Sequence, residues 1–310
     1  MQTLDEEGGP MFQDGDVLCF LGDSITANGR WMAEVYQNLR EKYGVKCYNC
    51  GVSGGMTEFA LFYLDSQCLV HSPDYVVMMF GINDIYRELY TDGNEGDAEC
   101  DAAKQQALDT HKACYEKLIR RVQEFGAKVI LCTPPPYDDV NEKEEYCLLC
   151  QPALLECVEF VKELAERYDL PVVDFYGTMY PLLGEREWIE ADRVHPTAEG
   201  QHVLAQIFLR DIGETEKCDF DSPFVWEAWN KSRFDAEQEL ILVNFIEFCV
   251  LLKERYVGKK SIEERKAIAR QEYETYEDKT EVFPRAYADY IAKIDSYQHY
   301  MDEVVRLTRS

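Results

Sequence analysis

Basic residues are scarce in this 310-residue chain: 32 Lys and Arg stand against 59 Asp and Glu, a formal net charge of −27. A surface so acidic repels DNA, RNA and anionic lipid headgroups over a Debye length of about 8 Å. No concentrated basic patch offsets it, so nucleic acid is not expected as a partner. Long apolar runs are missing too. The longest candidate, 240–252, is broken by Asn244 and Glu247 and falls short of the roughly 18 residues that a membrane span needs. The opening Met1-Gln2-Thr3-Leu4-Asp5-Glu6-Glu7 lacks the basic and apolar stretches of a leader, and a cytoplasmic location is expected. Internal repeats and low-complexity tracts are absent. Hydrophobic residues nevertheless make up 46%, far too many for a disordered acidic chain, so there is material for a sizeable core.

Cysteine, with twelve residues, is the exception to this sparseness. Cys19, Cys132 and Cys249 sit inside apolar runs, where a thiol behaves as a small hydrophobe, and all twelve read as reduced. Two Cys-x-x-Cys pairs, Cys47/Cys50 and Cys147/Cys150, have the local spacing of half a zinc site. About 100 residues separate them, well outside ribbon spacing, so they are read as binding no zinc, and no metal or cofactor is expected.

Short apolar runs at 17–21, 45–48, 75–80, 129–132 and 172–174 read as strands. Helical spacing fills 31–43, a stretch from about 57, 104–125, 146–168 and 197–210, and 91–101 reads as a solvated acidic loop. Near-continuous apolar strands alternating with helices indicate an α/β fold with a parallel sheet covered on both faces. Such sheets place ligands at the carboxyl ends of their strands. Three chemistry-bearing segments lie there: Gly22-Asp23-Ser24 after the first run, Ser53-Gly54-Gly55 soon after the second, and Gly81-Ile82-Asn83-Asp84 after the third. A fourth is the loop 192–195.

Ser24 becomes a nucleophile only if a base takes its proton, and a His oriented by a carboxylate is the usual solution. Of the five histidines, His195 alone has an Asp three residues before it, in Asp192-Arg193-Val194-His195-Pro196. That spacing lets Asp192 accept from Nδ1–H and leaves Nε2 to face Ser24. A developing oxyanion would find donors in the Gly54 N–H, the Asn83 side-chain amide and the N–H of Ser24 itself. Asp84 is read as holding its own loop by local hydrogen bonds. His71, His111, His202 and His299 are read as structural or surface residues.

Phe20-Leu21-Gly22-Asp23-Ser24-Ile25-Thr26 resembles the first block of the SGNH (GDSL-type) hydrolase family. Asn49-Cys50-Gly51-Val52-Ser53-Gly54 is similar to its second block, Gly81-Ile82-Asn83-Asp84 to its third and Asp192-Arg193-Val194-His195-Pro196 to its last, all in the family's order. The resemblance implies a flavodoxin-like three-layer α/β/α sandwich and metal-free ester hydrolysis. It gives Ser24, Asp192 and His195 the roles of a catalytic triad, with Ser24, Gly54 and Asn83 around the oxyanion. Asp14-Gly15-Asp16 and Thr133-Pro134-Pro135 resemble the carbohydrate-esterase branch that includes rhamnogalacturonan acetylesterases. The expected reaction is hydrolysis of short-chain, acetyl O-esters of a carbohydrate or small metabolite through an acyl-enzyme. A lysophospholipase or thioesterase taking longer chains is the alternative, as is a non-catalytic sugar- or protein-binding module.

The expected organisation is a lead-in (1–15), a catalytic domain (16–212) and an all-α extension (213–310). The extension carries helical patterns over 224–256, 262–276 and 285–307, and Ser261 with Glu264 matches a capping box. Its apolar stretch 240–252 and its recurring tyrosines (Tyr273, Tyr276, Tyr287, Tyr290, Tyr297, Tyr300) make it a candidate packing seam or homo-oligomer interface.

Overall fold

The computed structural model describes residues 10–90, 94, 96–140, 145–222 and 262–275. The chain divides into two compact units, Met1–Trp229 and Asn230–Ser310. In the first, five strands pair in parallel: β1 (Val17–Gly22), β2 (Lys46–Gly51), β3 (Tyr75–Met79), β4 (Lys128–Cys132) and β5 (Val172–Val173). Their order is β2-β1-β3-β4-β5. This is the flavodoxin-like order, whose direction of winding reverses beside β1 and β3 and opens a crevice at their carboxyl ends.

The helices between and after these strands are α1 (Ser24–Asn28), α2 (Arg30–Tyr43), α3 (Thr57–Tyr63), α4 (Ala98–Phe125), α5 (Glu145–Tyr168), α6 (Phe175–Met179) and α7 (Ala198–Asp211). α2 packs on α7, while α3 packs on α4 and α4 on α5. Trp31 of α2 fills the α2/α7 layer, its ring edge-on to Phe20 (centroids 5.3 Å apart) and Phe175 (5.5 Å) and tilted against Phe208 (5.6 Å). β1 and β3 are buried along nearly their whole length, which is why their sequences are continuous apolar runs rather than alternating ones.

The element ends differ from expectation where a polar residue is satisfied locally. β2 runs on through Asn49, because the Asn49 side chain donates to the carbonyls of Thr26 and Ala27 and accepts from the Gly51 N–H. α4 begins at Ala98 inside the stretch expected to be loop, capped by the Asp97 carboxylate, which accepts from the N–H groups of Glu99 and Cys100. α1 and α6, five residues each, are too short to show a helical period.

In the second unit the described element is α8 (Ile262–Thr275). The helices expected over 224–256 and 285–307, the apolar stretch 240–252, the Ser261 cap and the side chains of the tyrosine series lie outside the described residues. No described helix is long and apolar enough to cross a membrane.

Candidate active site

The carboxyl ends of β1, β2 and β3 bring the first three blocks together. The Val52 N–H donates to the Gly22 carbonyl at 2.9 Å. Gly55 lies so close to the first block that a Cβ there would stand 3.0 Å from the Gly22 carbonyl oxygen and 3.3 Å from the Asp23 Cα. The Asn83 amide donates to the Gly55 carbonyl at 3.1 Å, joining the third block to the second. Among the second-block glycines, the Gly51 N–H is taken by Asn49 and the Gly55 N–H by the Val52 carbonyl. Gly54 sits at φ 72°, a left-handed conformation that favours glycine, with its N–H committed to no partner among the described residues.

Ser24 opens α1. Its predecessor Asp23 caps that helix, accepting from the Ile25 N–H at 2.9 Å. The cap thus falls to Asp23 and the Ser24 hydroxyl is left to other work: Oγ lies 2.7 Å from His195 Nε2. The other ring nitrogen of His195, Nδ1, lies 2.5 Å from Asp192 Oδ2. Asp192 Oδ1 meanwhile accepts from the N–H groups of Val194 and His195, each at 3.0 Å. Burial alone would raise the Asp192 carboxyl. The His195 N–H and ring and the Val194 N–H outweigh it and hold the group below the usual range. Asp192 therefore stays an anion that accepts from the imidazole.

Two residues, one in this loop and one in its neighbour, were given no role by the motifs. Arg193 adopts φ 63°, and its guanidinium pairs with the buried Asp138 at 2.8 Å, while the Asp138 N–H donates back to the Arg193 carbonyl at 3.0 Å. One residue earlier, the Tyr137 hydroxyl donates to the Ile82 carbonyl at 2.6 Å. The segment after β4 thus braces both the histidine loop and the third block. Its only trace in the sequence is the Thr133-Pro134-Pro135 stretch that leads into it.

Asp84 holds its loop, as expected: it accepts from the N–H groups of Gly81 and Thr57 and from the Thr57 hydroxyl. It also forms a buried ion pair with His111 of α4, 3.0 Å from Nδ1. Burial opposes charge on both: for Asp84 the His111 charge and the hydrogen bonds prevail and hold it below the usual carboxylate range, while for His111 Cys157 and then Asp84 raise it to about 10. Asp23, fully buried, is pushed up to about 7 by burial, against its helix-capping bond and the charge of His195. His202, two turns beyond His195, bonds Glu34 at 2.7 Å and so belongs to the packing of α2 on α7. His71 stacks on Tyr48.

The model of the GDSL-like lipase/acylhydrolase family matches residues 20–203. The chain belongs to that family, and it is a carboxylic ester hydrolase. It is 27% identical over 224 residues to an acetylxylan esterase of Geobacillus stearothermophilus, covering 64% of this chain and 94% of the relative. The crystal structure of Axe2, an acetylxylan esterase from the same organism, is 27% identical with a TM-score of 0.54, covering 65% of this chain and 95% of that one. Catalytic mutants of Axe2 have been solved with alanine in place of a serine, an aspartate and a histidine, the last two three positions apart, like Asp192 and His195. A gut microbial diltiazem-metabolizing enzyme shares the fold, at 22% identity and a TM-score of 0.58 over 65% of this chain and 48% of that one.

Proposed function

We propose that the chain is a serine O-acetylesterase of carbohydrate esters working through an acyl-enzyme. The observation that carries this reading is the unbroken relay from Ser24 Oγ through His195 to Asp192, at 2.7 and 2.5 Å. Ser24 attacks the ester carbonyl as its proton passes to His195 Nε2. Asp192 fixes the ring with Nε2 toward the serine and stabilises the imidazolium. The Gly54 N–H, the Asn83 amide and the Ser24 N–H receive the oxyanion. His195 then protonates the leaving alcohol, takes a proton from water, and the hydroxide releases acetate and regenerates Ser24.

The acyl group and alcohol are inferred from the acetylxylan esterase relatives, which cover almost their whole length in the alignment. The acidic surface fits neutral sugar esters better than polyanionic polymers. A series of nitrophenyl esters of rising chain length, run beside acetylated xylo-oligosaccharides, tests it. A sharp preference for acetyl, with acetate released from the oligosaccharides, is expected. A preference for eight carbons or more would assign the site to lipids or thioesters instead.

A further inference from the structure

Three nucleophiles outside the active site meet in the core. Cys19 of β1, Cys50 of β2 and Cys68 are all fully buried, and their Sγ atoms lie within 4.8 Å of one another. The strand register explains the first two. Cys19 is paired with Tyr48, and Cys50, two residues further along β2, projects from the same face of the sheet. Cys47 projects from the opposite face, so the Cys-x-x-Cys spacing of the sequence does not describe this cluster. Cys68 ends a wide π-type turn, 64–68, a rare element concentrated at functional sites.

The thiols are held by backbone oxygens: Cys50 Sγ donates to the Gln67 carbonyl at 3.1 Å and Cys19 Sγ to the Cys68 carbonyl at 3.5 Å. On the same sheet face, the His71 ring lies flat on Tyr48, centroids 3.9 Å apart, and among the described residues its buried Nε2 has no hydrogen-bond partner. Isolated buried thiols need no explanation beyond packing. Packing alone gives no reason for three sulfurs from three separate segments to converge within 4.8 Å of one another.

We propose that Cys19, Cys50 and Cys68 bind one thiophilic d10 cation, zinc in the first instance, with three sulfur ligands from the protein. Three points no more than 4.8 Å apart share a centre within about 2.8 Å of each. A zinc–thiolate bond is about 2.3 Å, so a contraction of about half an ångström per ligand closes the site. Binding exchanges three S–H bonds for three S–Zn bonds, releases three protons to solvent and transfers no electrons. The ion would tie β1 and β2 to the 64–71 segment, a structural role apart from Ser24.

The test uses the full chain, stripped of metal under reductant and titrated with Cd2+ as a spectroscopic probe. We expect a sulfur-to-metal charge-transfer band saturating at one equivalent, together with a higher melting temperature. Cys68→Val should lose both, while Cys100→Ala, outside the cluster, should keep both. Should Cys68→Val fail to fold, cadmium NMR of the wild-type protein reads the ligand set directly, and three-sulfur ligation is expected. Absence of a saturable band in the wild type, a band that survives Cys68→Val, a cadmium resonance without three sulfurs, or a disulfide joining two of these cysteines in protein purified without air would overturn the proposal.

Discussion

At the scale of single residues, the proposed roles of the site groups can be tested separately. Ser24→Ala should abolish turnover. Asn83→Ala removes one of the proposed oxyanion donors and leaves the hydrogen bonds of Ser24, His195 and Asp192 in place. Loss of such a donor costs about 10²–10³ in kcat with little change in KM, and steady-state kinetics on an acetyl ester measure it. A kcat unchanged by Asn83→Ala would remove this residue from the oxyanion site. Arg193 and Asp138 touch no reacting atom and act through the histidine loop. Arg193→Met should therefore lower kcat by about tenfold to a hundredfold, the range that small misplacements of catalytic groups produce. Charge swapping, with Asp138→Arg restoring Arg193→Asp, should recover part of the loss. Motif reading singled out Ser24, Gly54, Asn83, Asp192 and His195 because local spacing encodes them, and the fold sets Ser24, His195 and Asp192 in hydrogen-bond reach. Motif reading missed Arg193 and Asp138 because their pairing joins residues 55 apart in sequence, and only the fold makes them neighbours.

Among the elements, β1, β3 and β4 were legible because burial on both faces turns them into apolar runs. The short α1 and α6 were not, since five residues show no period, and Asp97 as the α4 cap was hidden in an acidic stretch. The same limit applies to the Asp84–His111 pair, which ties the third block to α4. Because His111 is raised to about 10, its contribution is complete below its unfolded value of about 6.5 and is lost as pH rises through about 10. Asp84 is lowered, so its contribution is present above its unfolded value of about 3.9 and is lost as pH falls through its folded value. The melting temperature of the wild type should thus decline from about pH 7 toward 10, and His111→Phe should flatten that decline. Parallel curves for the two proteins would show that the pair does not couple folding to pH. In the α2/α7 layer, Trp31→Ala empties the space among Phe20, Phe175 and Phe208 and should cost about 3–5 kcal/mol by denaturant unfolding.

For the whole molecule, charge is the feature that composition alone disclosed. Residues 1–212 hold 17 basic and 38 acidic side chains, so −21 of the −27 falls on the part that carries the sheet and the site. An anionic acetyl ester should accordingly be a poorer substrate than a neutral one. Its kcat/KM should rise with ionic strength while that of the neutral ester stays level; equal salt responses would show that the charge does not reach the site. Every described site residue lies within Met1–Trp229, so we expect a chain ending at residue 229 to retain hydrolysis. The claim on which the functional reading depends is that Ser24 forms a covalent acyl-enzyme. Intact-mass and peptide mapping after exposure to a fluorophosphonate test it directly. One adduct per chain, located on Ser24, blocked by prior incubation with an acetyl ester and absent from Ser24→Ala, is the expected result. A wild-type protein that takes up no adduct, or a Ser24→Ala variant that labels equally well, would contradict it.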